Sequence, residues 1–449
     1  MPDSILERMV REKQSQIKKI DKKVEEEQIV PTRKETGSIA AIINSISEKF
    51  RKELTNPGQD KNDLDEKIRK EIETQVEALN CGYEQKKRLE KIAVASIIGL
   101  GPIQQYLEDP EITEVIVQRY NSICIEKGGK VMKTKAAFMD EQNLRKVINR
   151  ILQPVGREVN LASPIVDAHL SDGSRICATI PPVSPKGATL TIRKFNNKMM
   201  TAAKYVELKS ISVSMLKFLE KCVRGKVSIF VSGGTGTGKT TFLNMLSSFL
   251  PKDELIITVE DTLELQLKQP NVRSLETRPV TNGETMKMID MDALVKATLR
   301  MRPDRVIVGE TRDGAVVSLL SMMSTGHEGS MTTGHANSPE NLVNVRIPIM
   351  IEMNKSSTFS ERQQKLMITE AIQMIIQLRR LPNGRRVVSQ ICEVGGVVNG
   401  EIQINDICRY DTEKDCFIWT GYIPKRIVEH AEMYGIQIPE QEFARRGER

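Results

Sequence analysis

The sequence predicts an α/β protein: a domain built on a parallel sheet, with an α+β domain before it and a helical module at the N-terminus. Two observations carry this. Between Ser210 and about Pro339, short apolar runs alternate with amphipathic stretches, and parallel strands must be joined by crossover segments that cover the sheet on both faces. Inside that region a glycine-rich loop separates a strand-like run from a helix-like one. A third, the length of 449 residues, leaves room for two or three domains.

In order along the chain, residues 1–36 are rich in Lys, Glu and Gln and read as a charged tail, a solvated helix or disordered. Residues 37–100 form a helical module: Ile39, Ile42, Ile43, Ile46 and Phe50 recur at three- and four-residue steps, and after Asp63 so do Ile68, Ile72, Val76 and Leu79. Gly99 and Gly101-Pro102 end it. Residues 101–205 read as an α+β domain, with strands near 114–117, 122–126, 165–168, 175–178 and 189–193, a turn at Gly128-Gly129 and a helix over 144–152. Residues 206–345 form the parallel α/β domain, with strands at 227–231, 255–259, 306–308 and 330–333 and helices at 213–223, 240–250, 291–301 and 315–323. Residues 346–449 form a mixed region whose clearest helix is expected over 366–378, with strands near 387–394 and 401–404 and a helix near 424–434.

Composition excludes several classes. Apolar content of 39% and charged content of 28% are those of a globular chain, and the longest apolar candidate for a membrane span, residues 92–103, is too short. Residues 1–21 show no apolar core with a cleavage site, so no signal peptide is expected. Seven scattered cysteines without C-x-x-C spacing read as thiols in a reducing compartment, and the expected location is cytoplasmic. Aromatic content of 4%, with Trp419 the single Trp, argues against a base-stacking platform, so no nucleic-acid partner is expected. The net charge of +7 permits contact with an acidic membrane surface without requiring it.

Four motifs carry chemistry. Gly233, Gly234, Thr235, Gly236, Thr237, Gly238, Lys239 and Thr240 fit G-x-x-x-x-G-K-[S/T], and Thr241 continues into the helix. Glycines let the backbone curl so that N–H groups point at an anion, and the helix N-terminus adds partial positive charge. Lys239 would reach the β- and γ-phosphates, and the Thr240 hydroxyl would hold Mg²⁺. The expected ligands are therefore ATP and Mg²⁺. Next, the apolar run 306–308 ends in Gly309-Glu310, which sets Glu310 near nucleotide and metal; an Asp is the more usual residue at that strand end, so the metal contact would run through water. The run 257–259 ends in Glu260-Asp261, where a carboxylate would orient or deprotonate the attacking water, or Asp261 would cap a helix. Finally, His327 and His335 lie among glycines without nearby Cys, which favours a neutral imidazole facing the γ-phosphate, or a turn-capping histidine, over a metal site.

In their order along the chain, phosphate loop, acids at 260–261, Gly309-Glu310 and histidine segment, the four motifs resemble the secretion-ATPase superfamily that powers type II secretion, type IV pili and type IV secretion. The chain is most similar to the CpaF-type branch that drives tight-adherence (Flp-type) pilus assembly, through Gly99-Leu100-Gly101-Pro102-Ile103, Ser163-Pro164-Ile165-Val166-Asp167-Ala168, Asp172-Gly173-Ser174-Arg175, Leu190-Thr191-Ile192-Arg193-Lys194-Phe195, Leu299-Arg300-Met301-Arg302-Pro303-Asp304 and Thr325-Gly326-His327-Glu328-Gly329-Ser330. The resemblance runs from about Ile97 to Pro439; where that branch carries a short Asn-Gly turn, this chain has Gln118-Arg119-Tyr120-Asn121. It implies a RecA-like domain, a homo-hexameric motor, catalytic roles for Glu260, Glu310, Lys239 and His335, a metal contact from Glu310, and phosphate contacts from Arg175 and Arg193 of the preceding domain. Arg300 and Arg302 are weaker candidates for contacts across subunits. It further implies an inner-membrane platform partner and a peripheral place at the inner membrane face, with only indirect membrane contact. A conjugation-type ATPase, or a nucleotide-gated scaffold with little turnover, are the competing readings. Met286, Met288 and Met291 suggest a subunit contact or core filling.

Overall fold

The computed structural model describes residues 35–50, 53, 61–170, 172–195, 200–278, 288–354 and 358–448. Residues 1–34 of the charged tail and Met286 lie outside them. The chain divides into two compact units, Met1–Phe195 and Asn196–Arg449.

The first unit opens with three helices, α1 (Glu35–Lys49), α2 (Lys61–Glu77) and α3 (Tyr83–Ile97). Their apolar stripes close on one another: Ile39, Ile46, Ile68, Ile72 and Ala93 are fully buried in a shared core. That is the packing expected of amphipathic helices whose apolar residues recur every three to four positions. A separate core lies under a six-stranded antiparallel sheet in the order β3-β2-β1-β6-β5-β4. Its strands are β1 (Ile112–Arg119), β2 (Ser122–Lys127), β3 (Lys130–Lys133), β4 (Ile165–His169), β5 (Arg175–Thr179) and β6 (Thr189–Arg193). Tyr120-Asn121 makes the tight turn between β1 and β2. Helix α4 (Glu141–Leu152), capped by Asp140 accepting from the Asn143 N–H, supplies Leu144, Val147, Ile148 and Leu152 to this core.

The second unit is built on one ten-stranded sheet, β16-β15-β14-β13-β12-β7-β11-β10-β8-β9. Its parallel half comprises β7 (Ile229–Gly233), β8 (Ile256–Glu260), β9 (Val272–Glu276), β10 (Arg305–Val308), β11 (Met331–Gly334) and β12 (Met374–Arg380). β7, β8, β10 and β11 are buried throughout, as strands covered on both faces must be. The covering helices include α5 (Val213–Arg224), α6 (Lys239–Ser247), α7 (Met291–Thr298), α8 (Val316–Ser324) and α9 (Glu361–Ala371). Ser212, Asp290 and Ser360 cap α5, α7 and α9, the last with a reciprocal bond from its own N–H to Gln363 Oε1. The antiparallel half continues through β13 (Arg386–Val398), β14 (Glu401–Asp411), β15 (Cys416–Trp419) and β16 (Arg446–Glu448), with α10 (Lys425–Met433) against α5. The packing of α10 on α5 is close enough that a Cβ on Gly225 would come within 2.7 Å of the Ala431 side chain.

The structure corrects the helix expected over 366–378. Helix α9 ends at Ala371, and Met374 begins a strand that pairs in parallel with β7 from Ile229 to Gly233. The run Ile372-Gln373-Met374-Ile375-Ile376 is apolar enough to be buried on every side, which suits a central strand as well as a helix; periodicity alone does not separate the two. Met291 is buried in the core, whereas Met288 is exposed.

Candidate nucleotide site

The carboxyl ends of β7, β11, β10 and β8 carry the motif residues to one edge of the parallel sheet. The phosphate loop leaves β7 at Gly233 and enters α6 at Lys239. Gly236 and Gly238 adopt left-handed backbone, φ 72° and 90°, which a β-carbon disfavours. Gly233 is required for a different reason: a Cβ there would lie 2.7 Å from the Leu378 carbonyl of β12 and from Thr237 Oγ1. The loop apex, Thr235 and Gly236, is exposed, as is Thr241, while Thr240 is half-buried in the first turn of α6.

Lys239 is buried and donates to the carbonyls of Gly233 (3.2 Å) and Gly234 (3.3 Å). Its ammonium also lies 3.2 Å from His335 Nδ1. His335 follows β11, the strand beside β7, and its Nε2 is 2.7 Å from Glu310 Oε1. A single tautomer satisfies both contacts: Nε2–H donates to Glu310 and Nδ1 accepts from Lys239. Burial and the Lys239 charge hold His335 below the usual histidine range, so the imidazole is neutral. Burial likewise lowers Lys239, with Glu310 opposing the shift.

Glu260 ends β8, next to β10, and its side chain is almost wholly enclosed. Its Oε1 accepts from the N–H groups of Glu264 and Leu265, both at 2.9 Å, while Oε2 has no hydrogen-bond partner among the described residues. Burial pushes this carboxyl up to about 7, against the pull of the two N–H donors. Gly309 makes the placement possible, since a Cβ there would lie 2.9 Å from Glu260 Cγ. The missing strand-end Asp thus corresponds to space filled by Glu260. Asp261 caps no helix; it pairs with Arg312 and accepts from Thr277.

His327 lies before β11 and His335 after it, so the two histidines are at opposite ends of the sheet. Arg300 and Arg302 are exposed in the segment leading into β10, at the amino end. In the first unit, Arg175 and Arg193 are directly opposite each other on β5 and β6. The row continues to Glu114 on β1 and His169 on β4, so these four side chains share one face of the antiparallel sheet. Sequence reasoning did not find Arg346, whose Nε donates to the His335 carbonyl at 3.3 Å, or Arg386, whose Nε donates to the Gly236 carbonyl at 2.9 Å. No local pattern marks either one.

Among the described residues no group of three or more His, Cys, Asp or Glu is arranged to hold a metal unaided. In a nucleotide site one or two protein groups share Mg²⁺ with substrate phosphates, and Thr240 and Glu310 are the residues that could do so here.

The family model described as "Type II/IV secretion system protein" matches residues 97–414. An uncharacterised protein of Methanocaldococcus jannaschii is 38% identical over 242 residues, covering 52% of this chain and 34% of that protein. The conjugal transfer protein TrbB of Rhizobium radiobacter is 30% identical over 302 residues, 66% of this chain and 88% of that one. Of solved structures, the ADP-bound pilus retraction motor PilT is 22% identical with a TM-score of 0.48, over 68% of this chain and 82% of that one. The chain thus spans about a third of the archaeal relative and most of the conjugal one. With its phosphate loop, RecA-like parallel sheet and family match over most of its length, this chain belongs to the type II/IV secretion ATPase superfamily.

Proposed function

We propose that this protein is a hexameric motor that couples ATP hydrolysis to assembly of a tight-adherence pilus, or to protein secretion, by acting on an inner-membrane platform from the cytoplasmic side. The observation that carries the catalytic part is the contact chain from Lys239 through His335 to Glu310, beside the buried Glu260. Lys239 holds loop carbonyls and His335 in this state. An incoming phosphate competes for the ammonium, so binding releases His335, which can then report γ-phosphate through β11. Glu260, with Oε2 uncommitted and a proton affinity near neutrality, is suited to receive a proton from the attacking water; Glu310 is suited to orient that water. Mg²⁺ held by Thr240 and Glu310 would neutralise phosphate charge. Arg175 and Arg193, directly opposite each other on β5 and β6, supply paired positive charge suited to phosphates. Among the described residues no helix is long and apolar enough to cross a membrane.

A second reading, a conjugation-type traffic ATPase, is favoured by the similarity to TrbB. The test is ATP turnover measured against mass in solution, with and without nucleotide, Mg²⁺ and single-stranded DNA, beside Glu310→Gln. Turnover tied to a six-subunit species, lost in the variant and indifferent to DNA, supports the pilus or secretion motor. Stimulation by DNA favours the second reading. A monomer that binds ATP without turnover, even when the platform protein is added, overturns both in favour of a scaffold.

A further inference from the structure

The β12–β13 hairpin projects past the carboxyl end of β7, alongside the phosphate loop. Leu378 of β12 pairs with Gly233, the last residue of β7, so everything from Arg379 to the Arg386 that opens β13 extends beyond the carboxyl end of the central strand. Four arginines lie on this lip: Arg379, Arg380, Arg385 and Arg386. Arg385 is committed elsewhere, to Tyr410 and Asp415. Arg386 instead turns to the phosphate loop, where its Nε donates to the Gly236 carbonyl at 2.9 Å and its Cδ lies 3.4 Å from where a Cβ on Gly238 would be.

That bond has a directional consequence. In a planar trans peptide the carbonyl and the following N–H point in opposite directions. Holding the Gly236 carbonyl on the hairpin side therefore turns the Thr237 N–H the other way. Lys239 acts on the other limb, taking the Gly233 and Gly234 carbonyls, and Thr237 Oγ1 donates to Gly234 as well at 2.9 Å. The glycines at 236 and 238 leave this part of the loop with many alternative conformations, so a tether from outside is what selects one of them. Arg386 is exposed, and a single exposed hydrogen bond adds little to folding stability.

We propose that Arg386 is a positioning residue for nucleotide binding: from the β13 end of the hairpin it holds the Gly236 carbonyl outward and so presets the Thr237 N–H toward the phosphates. The proposal rests on the nucleotide-binding reading of the loop. It predicts a loss in binding rather than in the chemical step, because a preset loop serves ground state and transition state alike.

The experiment measures Kd for ADP and for a non-hydrolysable ATP analogue, and kcat and KM for ATP, in the full chain and in Arg386→Ala and Arg386→Lys. Expected for Arg386→Ala is a rise of about tenfold in both Kd and KM, with kcat within about twofold, as for one lost hydrogen bond from a charged donor. Arg386→Lys, which keeps a cationic donor, should recover most of the affinity. Wild-type binding with unchanged Kd in Arg386→Ala overturns the proposal alone. A fall in kcat at unchanged KM also overturns it, by moving Arg386 into the chemistry. Absence of nucleotide binding by the wild type overturns the nucleotide reading, and this proposal with it. Thermal melting of each variant without nucleotide distinguishes a misfolded protein, and affinity lost equally in Arg386→Lys with melting intact counts against the tether.

Discussion

The two ends of the parallel sheet treat buried charge in opposite ways. At the amino end, Arg305 opens β10 fully buried, and it is satisfied all round: a forked pair with Glu254 at 2.6 and 3.1 Å, and a bond from Nη1 to the Val223 carbonyl at 2.6 Å. Gly329 keeps room for that guanidinium, since a Cβ there would be 2.5 Å from Nη1. At the carboxyl end, Lys239, His335 and Glu310 are in contact, the first two pushed toward neutrality chiefly by burial, and Glu260, enclosed at the end of β8, is raised to about 7 with an unpartnered oxygen. A charge whose bonds are all closed holds structure together. Charges that perturb one another in a crevice are poised for a ligand. The polarity follows from the fold, because in parallel sheets ligands lie beyond the carboxyl ends of the strands.

The sharpest way to break this contrast is a paired substitution. Arg305→Ala leaves Glu254 without its partner and should cost about 3–5 kcal/mol in urea unfolding. Lys239→Ala should reduce ATP turnover by about 10³-fold while leaving the unfolding midpoint nearly unchanged. If Arg305→Ala abolished turnover without loss of stability, the division between the two ends would fail.

Glu260 should control pH dependence in two ways. As a general base it must be ionised, so kcat/KM should rise with pH through about 7, and Glu260→Gln should remove that limb together with about 10²–10⁴ of the rate. Its effect on stability has the opposite sign. Between the ordinary carboxylate value of 4.5 and about 7, the folded chain keeps a proton that the unfolded chain releases, so its contribution to stability is present below 4.5 and declines as pH rises across that window. Unfolding measured from pH 4.5 to 7.5 should show a shallower decline in Glu260→Gln than in wild type. An identical slope in both would return Glu260 to an ordinary carboxylate.

A smaller effect is expected from Gly309→Ala. The added methyl meets Glu260 Cγ at 2.9 Å and Oε1 at 3.3 Å, so the carboxylate must move or the strand end must shift. Overpacking of this kind costs about 1–3 kcal/mol. Turnover should fall with it, and the pH limb assigned to Glu260 should move. A variant with wild-type turnover and pH profile would show that Glu260 needs no such fit.

Local chemistry made much of this legible in advance. The loop from Gly233 to Thr240, the acids at 260 and 310 and the alternation of strand and helix are contiguous patterns, and the geometry of a strand running into a glycine loop is set within about twenty residues. The first two N-terminal helices were legible through spacing that puts Ile39, Ile46, Ile68 and Ile72 on inward faces, and α3 only as part of a helical module ending near Gly99. The strand at Met374–Arg380 was not, because an apolar run can fill a helix or a central strand, and the choice depended on the open edge of β7.

The sequence by itself determined the type of most elements, Met374–Arg380 excepted, and the residues able to bind phosphate. Only the tertiary structure decided who meets whom. Lys239 touches a histidine 96 positions away because β11 pairs with β7, and Arg386 reaches Gly236 across 150 positions because β12 lies on the other side of that strand. Arg175 and Arg193 become neighbours through the β5–β6 register alone. The meaning of Gly309 reversed once its surroundings were known, from an absent ligand to the space that admits Glu260. The physical reason is the same in each case: propensity and spacing act over a few residues along the chain, whereas strand order, register and burial are properties of the assembled sheet.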